Sequence, residues 1–124
     1  MKVLHTDKAP AAVGPYSQAI EVNGFVFCSG QLPIDPATGV FAEGGVKEQT
    51  RQSILNAQEV LRSAGLELSN VVKTTVYLSD MDNFAAMNEV YAQFFSEPFP
   101  ARSAVAVKTL PKNALVEVEC IATR

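Results

Sequence analysis

A single histidine, His5, and two cysteines, Cys28 and Cys120, are all that the chain offers a soft metal ion. No CxxC or HExxH spacing occurs, so a His-rich or thiolate zinc site is excluded. Positive charge is sparse as well. Ten Lys and Arg against thirteen Asp and Glu leave a net charge of -3 and a pI near 5.1, and the cations are scattered. That balance argues against a nucleic-acid partner. No apolar run approaches the roughly 18 to 20 residues of a membrane span. The opening "MKVLHTDKAP" shows no apolar core followed by a small-residue cleavage site, so no signal peptide is visible. Both cysteines sit in apolar, strand-like segments. They read as small buried hydrophobes of a reducing compartment, with bridging left open in principle. A cytoplasmic protein without membrane or nucleic-acid partners is expected.

What is present suits one core. The 124 residues are 48% hydrophobic and 19% charged, without repeat, linker or low-complexity tract, and read as one domain over 1–124. "SQAIEVNGFVFCSG" holds two alternating apolar segments around Asn23-Gly24, a pair that tolerates the positive φ angles of a tight turn. A turn-rich stretch, "QLPIDPATGVFAEGG", follows. Val46, Thr50, Ile54, Ala57, Leu61 and Ala64 then recur at helical steps, predicting a helix over 46–64 that Gly65 stops. "NVVKTTVYLSD" is a β-branched strand. Asp80 or Asp82 can cap a second helix to about Phe95, with Phe84, Met87, Tyr91 and Phe94 on one stripe, ended by Pro98 and Pro100. Strands near 103–108 and 115–123 close the chain, and a short one at 2–5 can open it. The order predicts an α+β fold, a single sheet with two helices packed on one face.

Period-two counting places Val116, Val118, Cys120 and Ala122 on one side of the last strand and Leu115, Glu117, Glu119 and Ile121 on the other. In the strand before it, Val105 and Val107 share one side, and Arg102, Ala104 and Ala106 the opposite. Burying the valines against helices puts Arg102 on the same open face as Glu117. Two readings of that face remain. A partner subunit can cover it, with the ionic groups lining a pocket between chains. Alternatively, Arg102 and Glu117 form an ordinary cross-strand ion pair, worth little at a surface. Tyr16 after a Gly-Pro turn, Ser29 and Gly30 at a strand end, and Asn88 on the flank of the second helix carry structural readings of the same kind.

Together, "APAAVGPYSQAI", "FVFCSGQLPIDPATG", "VVKTTVYLSDMDNFAAMNEVYAQFF", "FPARSAV" and "LVEVECIA" resemble the RidA/YjgF family in order and spacing, over essentially the whole chain. The resemblance implies a chorismate-mutase-like single mixed β-sheet and a homotrimer whose sheets form a central barrel, with clefts between subunits. It also implies hydrolysis of reactive enamino and imino acids, such as 2-aminoacrylate and 2-iminopropanoate, to 2-keto acids and ammonia, without cofactor or metal. In that pattern Arg102 binds the substrate carboxylate and Glu117 orients water. Tyr16, Ser29, Asn88 and the backbone of Gly30, Gln31 and Leu32 line the cleft. The chain departs from many relatives at Ala104, where they carry cysteine, so no thiol acts there. A non-catalytic module that binds small carboxylates such as 2-keto acids is the alternative. The ribonuclease activity attributed to some members suits the acidic pI poorly.

Overall fold

The turn at Asn23-Gly24 forms as its dipeptide predicts, with φ of 52° and 81°, and joins β2 (Ala19–Val22) to β3 (Phe25–Gln31). The computed structural model describes residues 1–124. β1 (Lys2–Leu4) pairs antiparallel with β2. β4 (Val71–Leu78), β5 (Ala101–Ala106) and β6 (Val116–Thr123) complete a six-stranded sheet in the order β1-β2-β3-β6-β4-β5. All pairings are antiparallel except β4 with β5, so the sheet is mixed.

Helix α1 (Val46–Arg62) ends two residues before the expected limit, and Gly65 turns the chain beyond it at φ 75°. A left-handed residue there lets the Gly65 and Leu66 N–H groups cap the carbonyls of Arg62 and Leu61, a conformation few side chains tolerate. All six residues of its expected stripe are buried. Helix α2 (Phe84–Phe94) follows a short 3-10 turn, Met81–Asn83, for which Asp80 is the cap: its carboxylate accepts the Asp82 N–H at 2.8 Å. Both helices lie on the same side of the sheet, closing a core of Val26, Ile54, Leu61, Val76, Leu78, Met87, Val116 and Val118. No helix is long and apolar enough to cross a membrane. Cys28 and Cys120 stand opposite each other across β3 and β6, buried on the helix side and unbridged. The contact between them, together with burial, pushes the Cys28 thiol pKa up.

One expectation fails, and its failure matters for the site. The alternation along β5 is as counted, but the sides are reversed. β5 runs parallel to β4 in a register that sets Arg102 beside Thr74 and Ala104 beside Val76, two fully buried positions on the helix side. Val105 instead lies beside Tyr77 on the open face, 46% exposed. Parity alone cannot choose a side; the register with β4 chooses it. β5 is also an edge strand, so the helix layer above Arg102 is the flank of α2 rather than a closed core. The cross-strand pair of Arg102 with Glu117 is excluded, because β4 lies between their strands and the two side chains leave the sheet in opposite directions.

Leu78 is fully buried between sheet and helices. Leu78→Ala should lower the unfolding free energy by about 2–5 kcal/mol. Denaturant titration at fixed protein concentration measures it, and a loss below about 1 kcal/mol contradicts this placement of the core.

Candidate active site

The residues singled out from the sequence fall into two groups on two faces. Tyr16, Ser29, Gly30, Gln31, Leu32 and Glu117 line one cleft of about 630 Å³. Asn88 and Arg102 line another of about 360 Å³, together with Tyr91, Ala92, Phe99 and Pro100.

The larger cleft is built on an irregularity. β3 loses its register against β6 between Cys28 and Gln31, so Ser29 and Gly30 bulge where the cleft opens. The Ser29 hydroxyl donates to the Ser17 carbonyl at 2.6 Å, and its N–H donates to the Gln18 carbonyl at 2.9 Å. With its proton committed, that hydroxyl is left only as an acceptor. Gln31 is buried and its side-chain amide turns back to the Ser29 carbonyl at 3.1 Å, so it shapes the wall. Gln18, which the sequence did not single out, organises the opposite wall. Its amide donates to the carbonyls of Thr6 and Pro10 and accepts the Thr6 N–H, pinning the loop that carries Tyr16. The Tyr16 hydroxyl accepts the Val13 N–H at 3.3 Å and keeps its own proton to donate into the cleft.

Two buried amides of α1 hold the cleft to the core. Asn56 donates to the carbonyls of Leu32 and Ile34 at 3.1 and 2.8 Å. Gln49 accepts the Leu115 N–H at 2.9 Å, just before β6 delivers Glu117. The Glu117 carboxylate lies directly against Gly30. A Cβ at position 30 would stand 2.8 Å from its carboxyl carbon, so glycine is what makes room for the acid. Glu119, two residues on along the same face, accepts the Tyr77 hydroxyl at 3.1 Å. Glu117 has no such partner within the chain. Burial, and then the negative charge of Glu119, push its carboxyl pKa up. A half-buried, unpartnered carboxylate of raised basicity suits a general base. Lys112 on the rim also escaped the sequence reading; its φ of 56° shows only in the structure.

On the other face Arg102 is half-buried beside α2. Its Nη1 donates to Asn88 Oδ1 at 2.6 Å, and its Cζ lies 4.8 Å from the centre of the Tyr91 ring and 5.5 Å from that of Phe84. Phe84, Asn88 and Tyr91 are four and three residues apart, one face of α2. From the sequence, Phe84 and Tyr91 read as part of a core stripe with Met87 and Phe94, and Asn88 as its flank. No carboxylate of its own chain pairs with Arg102. A propped guanidinium with spare N–H groups is a receptor for a planar anion. No three His, Cys, Asp or Glu side chains come together as metal ligands would.

A mixed sheet with two helices on one face, with an unpaired arginine in one cleft and a half-buried carboxylate in the other, defines this α+β protein. The chain belongs to the endoribonuclease L-PSP family, the RidA/YjgF family, whose profile matches residues 6–124. It is 54% identical to a RutC family protein of Pyrococcus abyssi over 98% of this chain and 95% of that one. It is 49% identical to the 2-iminobutanoate/2-iminopropanoate deaminase of Capra hircus over 99% of this chain and 90% of that one. Among solved structures, RidA of an Antarctic Psychrobacter superposes with a TM-score of 0.96 at 47% identity, covering 100% of both chains.

The raised pKa of Glu117 sets a pH prediction. A Glu117 acting as general base works deprotonated, so kcat/KM should fall as pH drops through its raised pKa. Glu119→Gln removes the neighbouring charge and should move that acid limb to lower pH. A pH–rate profile on both proteins checks it, and an unmoved limb contradicts the coupling.

Proposed function

We propose that this protein hydrolyses reactive 2-imino and 2-enamino acids, such as 2-iminopropanoate and its tautomer 2-aminoacrylate, to the 2-keto acid and ammonia. The observation that carries the reading is Arg102, a guanidinium held by an amide and two aromatic rings and left without a carboxylate of its own chain. Mammalian relatives of about half identity that are named 2-iminobutanoate/2-iminopropanoate deaminase support it.

Arg102 takes the substrate carboxylate through parallel N–H bonds, which fix the imine plane as a lysine would not. Glu117 accepts a proton from water as that water attacks the imine carbon. The Tyr16 hydroxyl lies in the same cleft to donate to the substrate. The proton held by Glu117 passes to the nitrogen, giving the tetrahedral carbinolamine; its hydroxyl proton then returns through Glu117 to the nitrogen, the C–N bond breaks, and ammonia leaves as the carbonyl forms. The imine already hydrolyses in water, so positioning supplies much of the acceleration.

Arg102 and Glu117 leave opposite faces of one sheet, so a single chain does not present both to one small molecule. The active site is completed between copies: the Arg102 cleft of one protomer meets the Glu117 cleft of the next in a homotrimer. The open sheet face supports this assembly. It exposes Val3, Val22, Phe25, Phe27 and Val105, each more than a third accessible, around Tyr77 and Ile121. A stripe of that kind suits burial against another sheet, as in a barrel of three copies. The buried free thiols suit a reducing cytoplasm. A net charge of -3 does not suit tracking an RNA backbone.

A serine or threonine dehydratase supplies the imine, and keto-acid formation is followed with and without this protein. Wild type should accelerate it, and Arg102→Ala should lose about a hundred-fold in kcat/KM while keeping assembly. An Arg102→Ala protein of full activity overturns the assignment. Pyruvate binding without any acceleration by wild type makes the protein a carboxylate-binding module instead.

A further inference from the structure

Tyr91 is buried, with 6% of its surface exposed, yet it carries a hydroxyl and contacts a cation. Its ring stacks against Phe95 with centres 4.4 Å apart, and its hydroxyl shares a 2.7 Å hydrogen bond with Thr74 Oγ1. Thr74 is the register partner of Arg102 on the neighbouring strand. The contacts therefore close a loop: Arg102 on β5 lies beside Thr74 on β4, Thr74 holds the Tyr91 hydroxyl on α2, and the Tyr91 ring faces the Arg102 guanidinium. Phe84 and Asn88 complete the surroundings from the same helix face.

This arrangement solves a specific difficulty. A free arginine side chain samples many rotamers, and fixing it costs conformational entropy. An aspartate or glutamate partner would fix it but would also compete with the substrate for the same N–H groups. An aromatic face attracts the cation through its quadrupole and takes up none of those donors. Asn88 accepts at one nitrogen, and the remaining N–H groups stay available.

Resting on the reading of Arg102 as carboxylate anchor, we propose that Tyr91 is a positioning residue: its ring, hinged to Thr74 through the hydroxyl, holds the Arg102 guanidinium in the orientation that receives the substrate carboxylate. The ring holds the charge; packing on Phe95 keeps the ring in place, and the hydroxyl adds a secondary tie to Thr74. Tyr91 acts through Arg102, whose guanidinium it faces, so its effect falls first on substrate capture. Removing the ring raises KM and leaves kcat nearly unchanged.

The test compares Tyr91→Phe and Tyr91→Leu with wild type in the dehydratase-coupled assay, alongside the NMR signal of the Arg102 Nε–H group. Tyr91→Leu should raise KM about ten-fold with kcat within about three-fold, as expected for loss of a desolvated cation–π contact. Tyr91→Phe should recover KM to within about three-fold of wild type. The ring-current shift of the Arg102 Nε–H signal should persist in Tyr91→Phe and vanish in Tyr91→Leu. Tyr91→Met, which also fills the space without a ring, replaces Tyr91→Leu if that protein does not assemble. An unchanged KM in a folded, ring-free variant overturns the proposal. So does a Tyr91→Phe protein as impaired as Tyr91→Leu, since the hydroxyl would then matter only for holding helix to sheet. Should wild type itself show no turnover, the deaminase reading fails separately. The proposal is then decided by the Nε–H signal and by pyruvate titration, and an unshifted wild-type signal refutes it.

Discussion

The parallel pairing of β4 with β5 is the constraint on which the site depends. It aligns Arg102 with Thr74 and Ala104 with Val76, which sends the arginine to the helix side of the sheet. The antiparallel pairing of β4 with β6 sets Glu117 opposite Tyr77, on the other side. A one-residue slip in either register would reverse a whole strand's worth of side chains, and the buried residues of β4 and β6 forbid it. The two groups of the proposed chemistry are thereby held apart within one chain, and a second copy is needed to unite them.

Within each cleft, polar groups divide into those already satisfied and those left free. Ser29, Gln31 and Gln18 commit their donors, and Glu119 one oxygen, to shaping the walls. Asn56 and Gln49 anchor those walls to α1 from inside the core. Glu117, the proton of Tyr16 and most of the N–H groups of Arg102 remain uncommitted. Rigid surroundings and a few free donors and acceptors are what positioning a small planar acid requires, since no reorganisation then accompanies binding. Glu117 brings the basicity that the proposed chemistry uses, since burial and the charge of Glu119 both raise its pKa.

Much of this was legible in the residue order. The Asn23-Gly24 turn, both helices and their stripes, and the alternation of β6 from Val116 to Ala122 follow from local chemistry and periodicity. The side chosen by β5 was not legible. Alternation says which residues share a face, and only pairing with another strand says which face is covered. Arg102, Ala104 and Ala106 resembled an exposed row because one of them is charged, whereas that charge sits under the flank of α2. Tyr91 was hidden by the opposite effect: an aromatic on an apolar stripe reads as core, and its contact with Arg102 arises only once β5 lies beneath α2. Long-range polar ties such as Gln49 to Leu115, 66 residues apart, leave no local signal.

The central claim is a site shared between protomers, and the most direct test is complementation. Arg102→Ala and Glu117→Gln proteins, each inactive alone, are co-expressed so that they assemble together. In a randomly mixed trimer one junction in three pairs an intact Arg102 with an intact Glu117, and about a quarter of wild-type activity should return over all assemblies. No recovery from mixed trimers that demonstrably form would contradict the account, because both groups would then have to act from the same chain.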